Sequence, residues 1–245
     1  MKNQQKTILI TGANKGIGFE ASRQLLQKGY FVFIGCRTKE NGEEAVKELK
    51  SEGLESVDYV IINIREDDSV AAAAKEISSK IDYLDGLVNN AGYAGKIPQN
   101  ASEVSIDLIK DVHETNFYGT IRTTQHFLPL LMKAPQPRIV NVSSDMGSLT
   151  LHSDPTYKYY DNKITAYCSS KTVINSYTVM LAYEFMNTKL KVNSISQKKK
   201  KTGLNGYKGV NTVEQGARPI VNFITIDENG PTGKFFDENL VELSW

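Results

Sequence analysis

Cysteine, histidine and tryptophan are scarce in this sequence, and its charges nearly cancel. The only cysteines, Cys36 and Cys168, lie far apart, which predicts neither a disulfide framework nor a metal site and suits a reducing cytoplasm. The three histidines, His113, His126 and His152, show no metal-ligand spacing either. Lys and Arg number 29 against 28 Asp and Glu, which argues against a generally basic nucleic-acid-binding protein.

Long hydrophobic runs are also missing. No run approaches the roughly 20 apolar residues that cross a bilayer, and residues 1–6 lack the pattern of a secretory signal, so no membrane association is expected. The chain nevertheless has 245 residues, 40% of them hydrophobic, which is enough to bury a full core. It contains no linker, low-complexity tract or internal repeat, and we therefore predict a single domain over residues 1–245.

Short apolar runs alternate with longer amphipathic stretches. The runs are rich in Val and Ile, are apolar on both faces, and predict buried strands at residues 7–10, 30–34, 57–62, 84–89, 138–142 and 189–194. The stretches between and after them predict helices at 17–28, 41–51, 67–80, 165–187 and 213–224, with two more inside 102–133. This alternation predicts a doubly wound α/β fold with a parallel sheet and helices on both faces.

A glycine-rich turn directly follows the first predicted strand. Its sequence is Thr11-Gly12-Ala13-Asn14-Lys15-Gly16-Ile17-Gly18. Glycines let the backbone turn sharply, and the helix that begins near Gly16 or Ile17 points free N–H groups at an anion. The pattern alone also fits a plain strand-to-helix turn, but its position between a strand and a helix favours phosphate binding.

Four further motifs follow the glycine turn. They are Asn89-Asn90-Ala91-Gly92, Thr115-Asn116-Phe117-Tyr118-Gly119, Asn141-Val142-Ser143-Ser144-Asp145-Met146-Gly147 and Tyr167-Cys168-Ser169-Ser170-Lys171. With the Gly-x-x-x-Gly-x-Gly turn, they resemble the short-chain dehydrogenase/reductase family in the same order over nearly the whole chain. The Asn14–Gly18 part of the turn, Gly230-Pro231-Thr232-Gly233 and Trp245 look like the NADPH-dependent carbonyl reductases of that family.

The resemblance implies a Rossmann-type fold, with a cofactor half at roughly 1–135 and a catalytic and substrate half at roughly 136–245. It implies four catalytic residues: Asn116, Ser144, Tyr167 and Lys171. It also implies that NADP(H) is contacted by Gly12, Asn14, Lys15, Gly16, Ile17, Gly18, Arg37, Asn63, Asn90, Ala91, Gly92, Tyr167, Lys171 and Thr202.

Tyr167 and Lys171 are four residues apart on a predicted helix and face the same way. A free tyrosine has a pKa of about 10 and is a poor base at neutral pH. A lysine cation close by favours the phenolate, so we expect Lys171 to lower the pKa of Tyr167. Tyr167 would then exchange a proton with a carbonyl or alcohol oxygen that Ser144 orients. By resemblance, Asn116 would hold a water that links Lys171 to solvent.

The choice of cofactor depends on the end of the second strand. An acidic residue there would bind the 2′-hydroxyl of NAD, but the strand ends Cys36-Arg37-Thr38, with no carboxylate before Glu40. Arg37 and Lys15 offer cations to a 2′-phosphate, which predicts NADPH. The alternative is that both are solvated surface charges.

Two departures from the family pattern affect the cofactor site. Asn63 stands where an aspartate usually binds the adenine amino group, and its amide oxygen is still able to accept that bond. Thr202 is retained, but Gln197-Lys198 replaces the preceding Pro-Gly, and Lys198–Lys201 forms a run of four lysines. The lysines either attract cofactor phosphates or form a solvated loop, and the second is favoured.

These features predict NADPH-dependent reduction of an aldehyde, ketone or quinone by a cytoplasmic enzyme. Two alternatives stay open: a reductase of one dedicated metabolite, such as a steroid, sugar or acyl-carrier substrate, and a cofactor-binding regulatory protein with impaired turnover. The tyrosine-rich segment 149–163 precedes the helix through which family members pair. If it covers that helix, the protein is a monomer; if it lies over the substrate cleft, the usual dimer forms. We predict the monomer.

Overall fold

A computed structural model describes residues 5–197 and 212–245 of the chain. In this part of the chain, seven strands form one sheet in which all neighbouring strands are parallel. The strands are β1 Thr7–Thr11, β2 Phe31–Cys36, β3 Val57–Ile61, β4 Gly86–Asn89, β5 Arg138–Ser143, β6 Lys191–Ser196 and β7 Phe235–Phe236. Their order across the sheet is β3-β2-β1-β4-β5-β6-β7, which confirms the doubly wound α/β prediction.

Helices connect the strands and cover both faces. They are α1 Gly16–Gln27, α2 Lys39–Ser51, α3 Asp67–Lys80, α4 Ile106–His113, α5 Gly119–Leu131, α6 Leu149–Ser153, α7 Thr165–Glu184 and α8 Val213–Ile224. A π-helical turn, Glu114–Tyr118, joins α4 to α5, and a 3-10 turn, Asp145–Gly147, follows β5. Gly29, with φ +85°, ends α1 in the left-handed conformation, as its position in the sequence predicts.

The core lies on both sides of the sheet because successive strand residues point to opposite faces. On β1, Ile8 and Ile10 pack in a cluster with residues of α1, α2 and α8. Leu9, between them, packs in a second cluster with residues of α3, α5 and α7. Burying a side chain of this size contributes about 1.5–3 kcal/mol, so both layers of helices are held firmly.

The connection order reverses beside β1. The chain runs from β1 outward to β2 and β3, then returns to place β4 on the other side of β1. In open α/β sheets, ligands bind in the crevice outside the carboxyl ends of the strands at such a reversal. The glycine turn after β1 and the Asn-Asn-Ala-Gly motif after β4 both lie at this edge, because β1 and β4 are hydrogen-bonded neighbours.

Details of the sheet differ from the sequence predictions. The sixth strand begins at Lys191 and not at residue 189, and the two-residue β7 was not predicted. The ring of Phe235 in β7 stacks on Trp245, with 5.6 Å between centroids. The lysine run Lys198–Lys201 and Thr202 lie outside the described residues. The predictions made for them are therefore not tested by the structure. Within residues 5–197 and 212–245, no helix combines the length and apolar character needed to cross a membrane.

Candidate active site

The glycine turn lies against the motif that follows β4. Gly12 has φ +64°, and a Cβ atom there would come within 3.0 Å of the Ala91 backbone. A Cβ atom on Gly18 would lie 2.6 Å from the side-chain nitrogen of Asn90. At both positions a side chain would come too close to the segment after β4. Glycine is therefore needed at both positions.

Hydrogen bonds hold the glycine turn against the segment that follows β4. The side chain of Asn90 donates to the carbonyl oxygens of Thr11 and Gly12, at 2.8 and 3.1 Å. The Thr11 hydroxyl accepts from the backbone N–H groups of Asn90 and Ala91, at 3.0 and 3.1 Å. Sequence reasoning did not single out Thr11, although its place at the last position of β1 was a usable signal. The structure thus brings Gly12, Gly18, Asn90 and Ala91 together.

The N-terminus of α1 opens at the same edge. The helix begins at Gly16, and Lys15 before it has an extended backbone and gives no side-chain cap to the first turn. Helix N–H groups without a side-chain cap are suited to bind an anion such as a phosphate. Asn14, Lys15, Gly16 and Ile17 all belong to this turn, and Lys15 and Gly16 are exposed.

Arg37 directly follows β2, the neighbour of β1, and its side chain is exposed. In the part of the chain that the structure describes, neither Arg37 nor Lys15 forms an ion pair with a carboxylate. Asn63, after β3, is more constrained: its amide nitrogen donates to the Glu66 carboxylate at 2.6 Å, and its amide oxygen accepts from the Arg65 N–H at 3.3 Å. That oxygen still has a second lone pair for an adenine amino group.

Asn116 lies in the π-helical turn and is fully buried. Its amide oxygen accepts from the Tyr93 N–H at 2.9 Å, and its amide nitrogen donates to the Tyr93 carbonyl at 3.0 Å and to the Ser170 hydroxyl at 2.9 Å. The side chain therefore joins the segment after β4 to α7. A Cβ atom on Gly92 would lie 2.9 Å from the Asn116 amide oxygen and 3.6 Å from the Lys171 ammonium, so Gly92 keeps the space between them open.

Lys171 is held by the residues that precede Ser144, where the 3-10 turn packs on α7. The ammonium of Lys171 donates to the Val142 carbonyl of β5 at 2.8 Å, and the Ser143 hydroxyl donates to the Lys171 carbonyl at 3.2 Å. The same ammonium lies 5.7 Å from the centroid of the Tyr167 ring. Hydrogen bonding with Ser144 acts to lower the pKa of the Tyr167 hydroxyl, against the larger effect of burial. The structure thus gathers Ser144, Tyr167 and Lys171 at the carboxyl end of β5.

The protonation states differ from the sequence prediction. Burial raises the pKa of Tyr167 to about 12 and lowers the pKa of Lys171 to about 8. The expected fall in the pKa of Tyr167 is therefore not found, because burial acts in the opposite direction and dominates. The physical reason is that Tyr167 is partly buried and Lys171 is buried, while the ammonium is turned toward the Val142 carbonyl. Tyr167 is protonated at neutral pH.

Gly147 permits the close packing of the 3-10 turn on α7. A Cβ atom there would lie 2.8 Å from both the carbonyl carbon and the Cβ atom of Lys171. We expect Gly147→Ala to lower the free energy of unfolding by about 1–3 kcal/mol, the usual cost of overpacking, and to reduce turnover by displacing Lys171. Chemical denaturation followed by circular dichroism measures the first effect. An unchanged unfolding midpoint and slope would show that the turn has room to move.

The tyrosine-rich segment does not cover the outer face of α7. Its helix α6 is tied to the end of the chain, since the backbone N–H and hydroxyl of Thr150 both donate to the Trp245 carbonyl, at 3.1 and 2.8 Å. On α7, Val179, Met180 and Tyr183 remain 41%, 66% and 74% exposed. The reason given for a monomer is therefore wrong, although the assembly itself is untested.

With that reason gone, light scattering coupled to size exclusion has to decide whether the predicted monomer is right. A particle of about 27 kDa agrees with it, because the chain has a mass of 27.3 kDa. A stable dimer at micromolar concentration would contradict it and would point to the exposed residues of α7 as the pairing surface. The variant Met180→Lys, which places a charge on that surface, would then return the mass to that of one chain.

The segment instead borders a cleft of about 300 Å³ beside Asp145. The cleft is lined by Asp145, Leu151, Thr156, Tyr157, Lys158, Asp237, Glu238 and Leu243. None of the four predicted catalytic residues lines it, but Asp145 directly follows Ser144 in the chain. Of the two alternatives for the segment, the described arrangement agrees better with a position beside the active site.

Comparison with known proteins agrees with this geometry. The sequence profile of the family described as short chain dehydrogenase matches residues 6–210. The short-chain dehydrogenase anuI of Penicillium roqueforti is 36% identical over 248 residues, covering 97% of each chain.

Two solved structures have the same fold. Salutaridine reductase from Papaver somniferum is 27% identical, with a TM-score of 0.83 over 94% of this chain and 99% of that one. A short chain dehydrogenase of Escherichia coli CFT073, complexed with NADPH, is 25% identical, with a TM-score of 0.83 over 95% and 96% of the two chains. From the family match and these relatives, the chain belongs to the short-chain dehydrogenase family and is an oxidoreductase that acts on carbonyl or CH–OH groups.

Proposed function

We propose that this enzyme uses NADPH to reduce the carbonyl group of a small molecule to an alcohol, with Tyr167 as the proton donor. The observation that carries the proposal is the arrangement of Ser144, Tyr167 and Lys171 at the carboxyl end of β5, with the Lys171 ammonium 5.7 Å from the centre of the Tyr167 ring. The Tyr167 phenol holds its proton at neutral pH, and burial raises its pKa further, to about 12. Carbonyl reduction requires a proton donor in that state.

The residues around the β1–β4 crevice fit NADP(H). The uncapped N-terminus of α1 is suited to the pyrophosphate, and Gly12 allows the backbone to approach it closely. Arg37 and Lys15 follow the carboxyl ends of neighbouring strands and supply cations for a 2′-phosphate. When bound, the cofactor supplies the hydride for the carbonyl carbon. The NADPH in the similar E. coli protein supports this choice.

The chain's own residues then have distinct roles. Tyr167 gives its phenolic proton to the carbonyl oxygen, so that one hydride and one proton together make the alcohol. Ser144 fixes the position of that oxygen by hydrogen bonding. Lys171, held by the Val142 carbonyl at 2.8 Å, supplies positive charge beside the phenolate that remains. Asn116 holds α7 and the segment after β4 in register, and we retain the proposal that it also supports a water-mediated path from Lys171 to solvent.

A second candidate is reduction of one dedicated metabolite. The similarity to salutaridine reductase favours it, because that enzyme is named for a single substrate. The regulatory alternative depended on residues 197–201, of which the structure describes only Gln197. The intact arrangement of Ser144, Tyr167 and Lys171 favours turnover instead.

The decisive experiment follows NADPH absorbance with the purified protein and a panel of aldehydes, ketones, quinones, steroids and keto sugars. Broad activity supports a general carbonyl reductase. Activity confined to one class supports a dedicated reductase. Binding of NADPH without consumption by any carbonyl, and without reduction of NADP⁺ by the matching alcohols, would overturn both.

The sheet also bears on domain organisation. β1–β4 come from the predicted cofactor half and β5–β7 from the predicted catalytic half, yet β4 and β5 are paired over four residue positions from Gly86 to Asn89. Continuous pairing across the predicted division supports our proposal of a single domain, because two domains would each need a separate core.

A further inference from the structure

Gln99 is a buried glutamine in the segment that follows β4. It belongs to none of the motifs from which the site was predicted, and it is only 2% exposed. A side-chain amide is costly to bury unless its nitrogen and its oxygen both have hydrogen-bond partners. The partners of Gln99 therefore indicate what it does.

The hydrogen bonds of Gln99 join its own segment to α7. Its side-chain nitrogen donates to the carbonyl oxygens of Ala94 and Lys96, at 2.7 and 2.9 Å. Its side-chain oxygen accepts from the backbone N–H of Tyr167, 68 positions further along the chain, at 3.2 Å. Its backbone carbonyl accepts from the N–H of Thr165, also at 3.2 Å. A carboxylate would lack the two donors and an ammonium would lack the acceptor, so the three side-chain bonds suit an amide.

Thr165 and Tyr167 are the first and third residues of α7. The first backbone N–H groups of a helix have no partner inside the helix, and a side-chain oxygen of the preceding residue commonly caps them. Here the preceding residue is Ile164, which has no such oxygen and gives no side-chain cap. The Cys168 N–H does bond within this part of the chain, to the Ile164 carbonyl at 2.8 Å. Gln99 thus supplies the missing cap from a distant part of the chain.

The same segment also holds Asn116. The backbone N–H and carbonyl of Tyr93 bond the two ends of the Asn116 amide, at 2.9 and 3.0 Å. Gln99 is bonded to two carbonyls that lie between Tyr93 and itself in the chain, so the segment is closed on itself. Residues 93–99 therefore fix the π-helical turn that carries Asn116 and the first turn of α7 that carries Tyr167 relative to each other.

We propose that Gln99 is a positioning residue for carbonyl reduction: by capping α7 from the segment after β4, it holds Tyr167 where the phenol meets the carbonyl oxygen of the substrate. The proposal rests on the proposed role of Tyr167 as the proton donor. The ends of helices fray, and a displacement of about 1 Å at a reacting group is able to lower a rate by about 10²-fold. Gln99 acts through the backbone of Tyr167 and takes no part in the proton transfer itself.

The test uses Gln99→Met, which keeps the length of the side chain and removes its three hydrogen bonds. We expect kcat for the most active carbonyl of the panel to fall by about 10–100-fold, while the Kd for NADPH stays at its wild-type value. Hydrogen exchange in the peptide that contains Thr165 and Tyr167, followed by mass spectrometry, should become about fivefold faster because the cap is lost. Asn100→Ala is the matched control. The exposed amide of Asn100 donates to Glu103 at 3.0 Å, so its loss should change none of these quantities.

A double-mutant cycle with Tyr167→Phe separates positioning from a general loosening of the site. If Gln99 acts through the Tyr167 phenol, Gln99→Met slows the wild type but has no further effect on the single-turnover rate of Tyr167→Phe. Equal slowing in both backgrounds, an unchanged kcat or an unchanged exchange rate would overturn the proposal. Where the Tyr167→Phe rate is too low to follow, the solvent isotope effect on kcat decides. It should be larger in Gln99→Met than in the wild type, and an unchanged value rejects the proposal.

The design also separates this inference from the function on which it rests. If Tyr167→Phe retains turnover, the proposed function is wrong, whatever the exchange rate shows about the cap. If Tyr167→Phe is inactive but Gln99→Met keeps the wild-type kcat, only the role of Gln99 is wrong. Thermal unfolding shows whether Gln99→Met is folded. Should it not fold, Gln99→Asn, whose shorter amide does not reach both sets of partners, takes its place with the same expected and contradicting results.

Discussion

Replacement of Tyr167 by phenylalanine is expected to lower kcat for carbonyl reduction by about 10²–10⁴-fold, the usual contribution of general acid–base catalysis. The ring remains, so the packing of α7 and the affinity for NADPH are expected to change little. Only the hydroxyl that gives the proton and meets Ser144 is lost. Steady-state rates with the best carbonyl and fluorescence titration with NADPH measure the two quantities separately.

Tyr183→Phe is the matched control for this prediction. Tyr183 lies on the same helix, but its side chain is 74% exposed and distant along the helix from Ser144, so removal of its hydroxyl should leave kcat unchanged. A Tyr167→Phe enzyme that kept more than about a tenth of the wild-type rate would exclude Tyr167 as the main proton donor.

Arg37→Ala should weaken NADPH binding by about tenfold or more, because one charge-assisted hydrogen bond contributes about 1.5–3 kcal/mol. NADH lacks the 2′-phosphate, so its affinity should barely change. The exposed position of Arg37, directly after β2, leaves the guanidinium available to the phosphate. Isothermal titration with both cofactors measures the two affinities.

Lys28→Ala serves as the control for net charge. Lys28 is also exposed, but it follows the C-terminal end of α1, whose N-terminal end forms the crevice. The Lys28→Ala variant loses one positive charge, as Arg37→Ala does, but its side chain lies away from the crevice. The affinities for NADPH and NADH should therefore both stay at their wild-type values. Equal loss of NADPH and NADH affinity in Arg37→Ala would show that Arg37 supports the fold of the site and does not read the phosphate.

The elements that local pattern determines were predictable. The apolar runs that form β1 and β2 are buried on both faces, and α3 and α8 have the bounds that the sequence predicted. Gly12 and Gly18 were predicted from motif spacing, and the structure gives the reason in contacts with Ala91 and Asn90. The two residues of β7 were missed, because so short a strand depends on its pairing with β6.

The electrostatics of the site could not be read from the sequence. The spacing of Tyr167 and Lys171 placed both side chains on one face, but it gave no information on burial, which reverses the expected change in the pKa of Tyr167. The partners of Asp145 include Ser196, from a strand 51 positions away, and Lys158, from the tyrosine-rich segment. Such contacts exist only after the sheet and α7 have packed together.

The bonding of Asn116 has a consequence for experiments on proton transfer in this enzyme. An amide both gives and accepts hydrogen bonds, whereas an ionised carboxylate of the same shape only accepts. Asn116→Asp would thus abolish the bond to the Tyr93 carbonyl and oppose a negative charge to it. The Ser170 hydroxyl would bond the new carboxylate only by giving up its own bond to the Tyr167 carbonyl. Asn116 acts as a crosslink between the segment after β4 and α7. Slow turnover in such a variant would therefore report first on the lost contact between these two elements. A solvent isotope effect, measured with the crosslink intact, reports on the proton path itself.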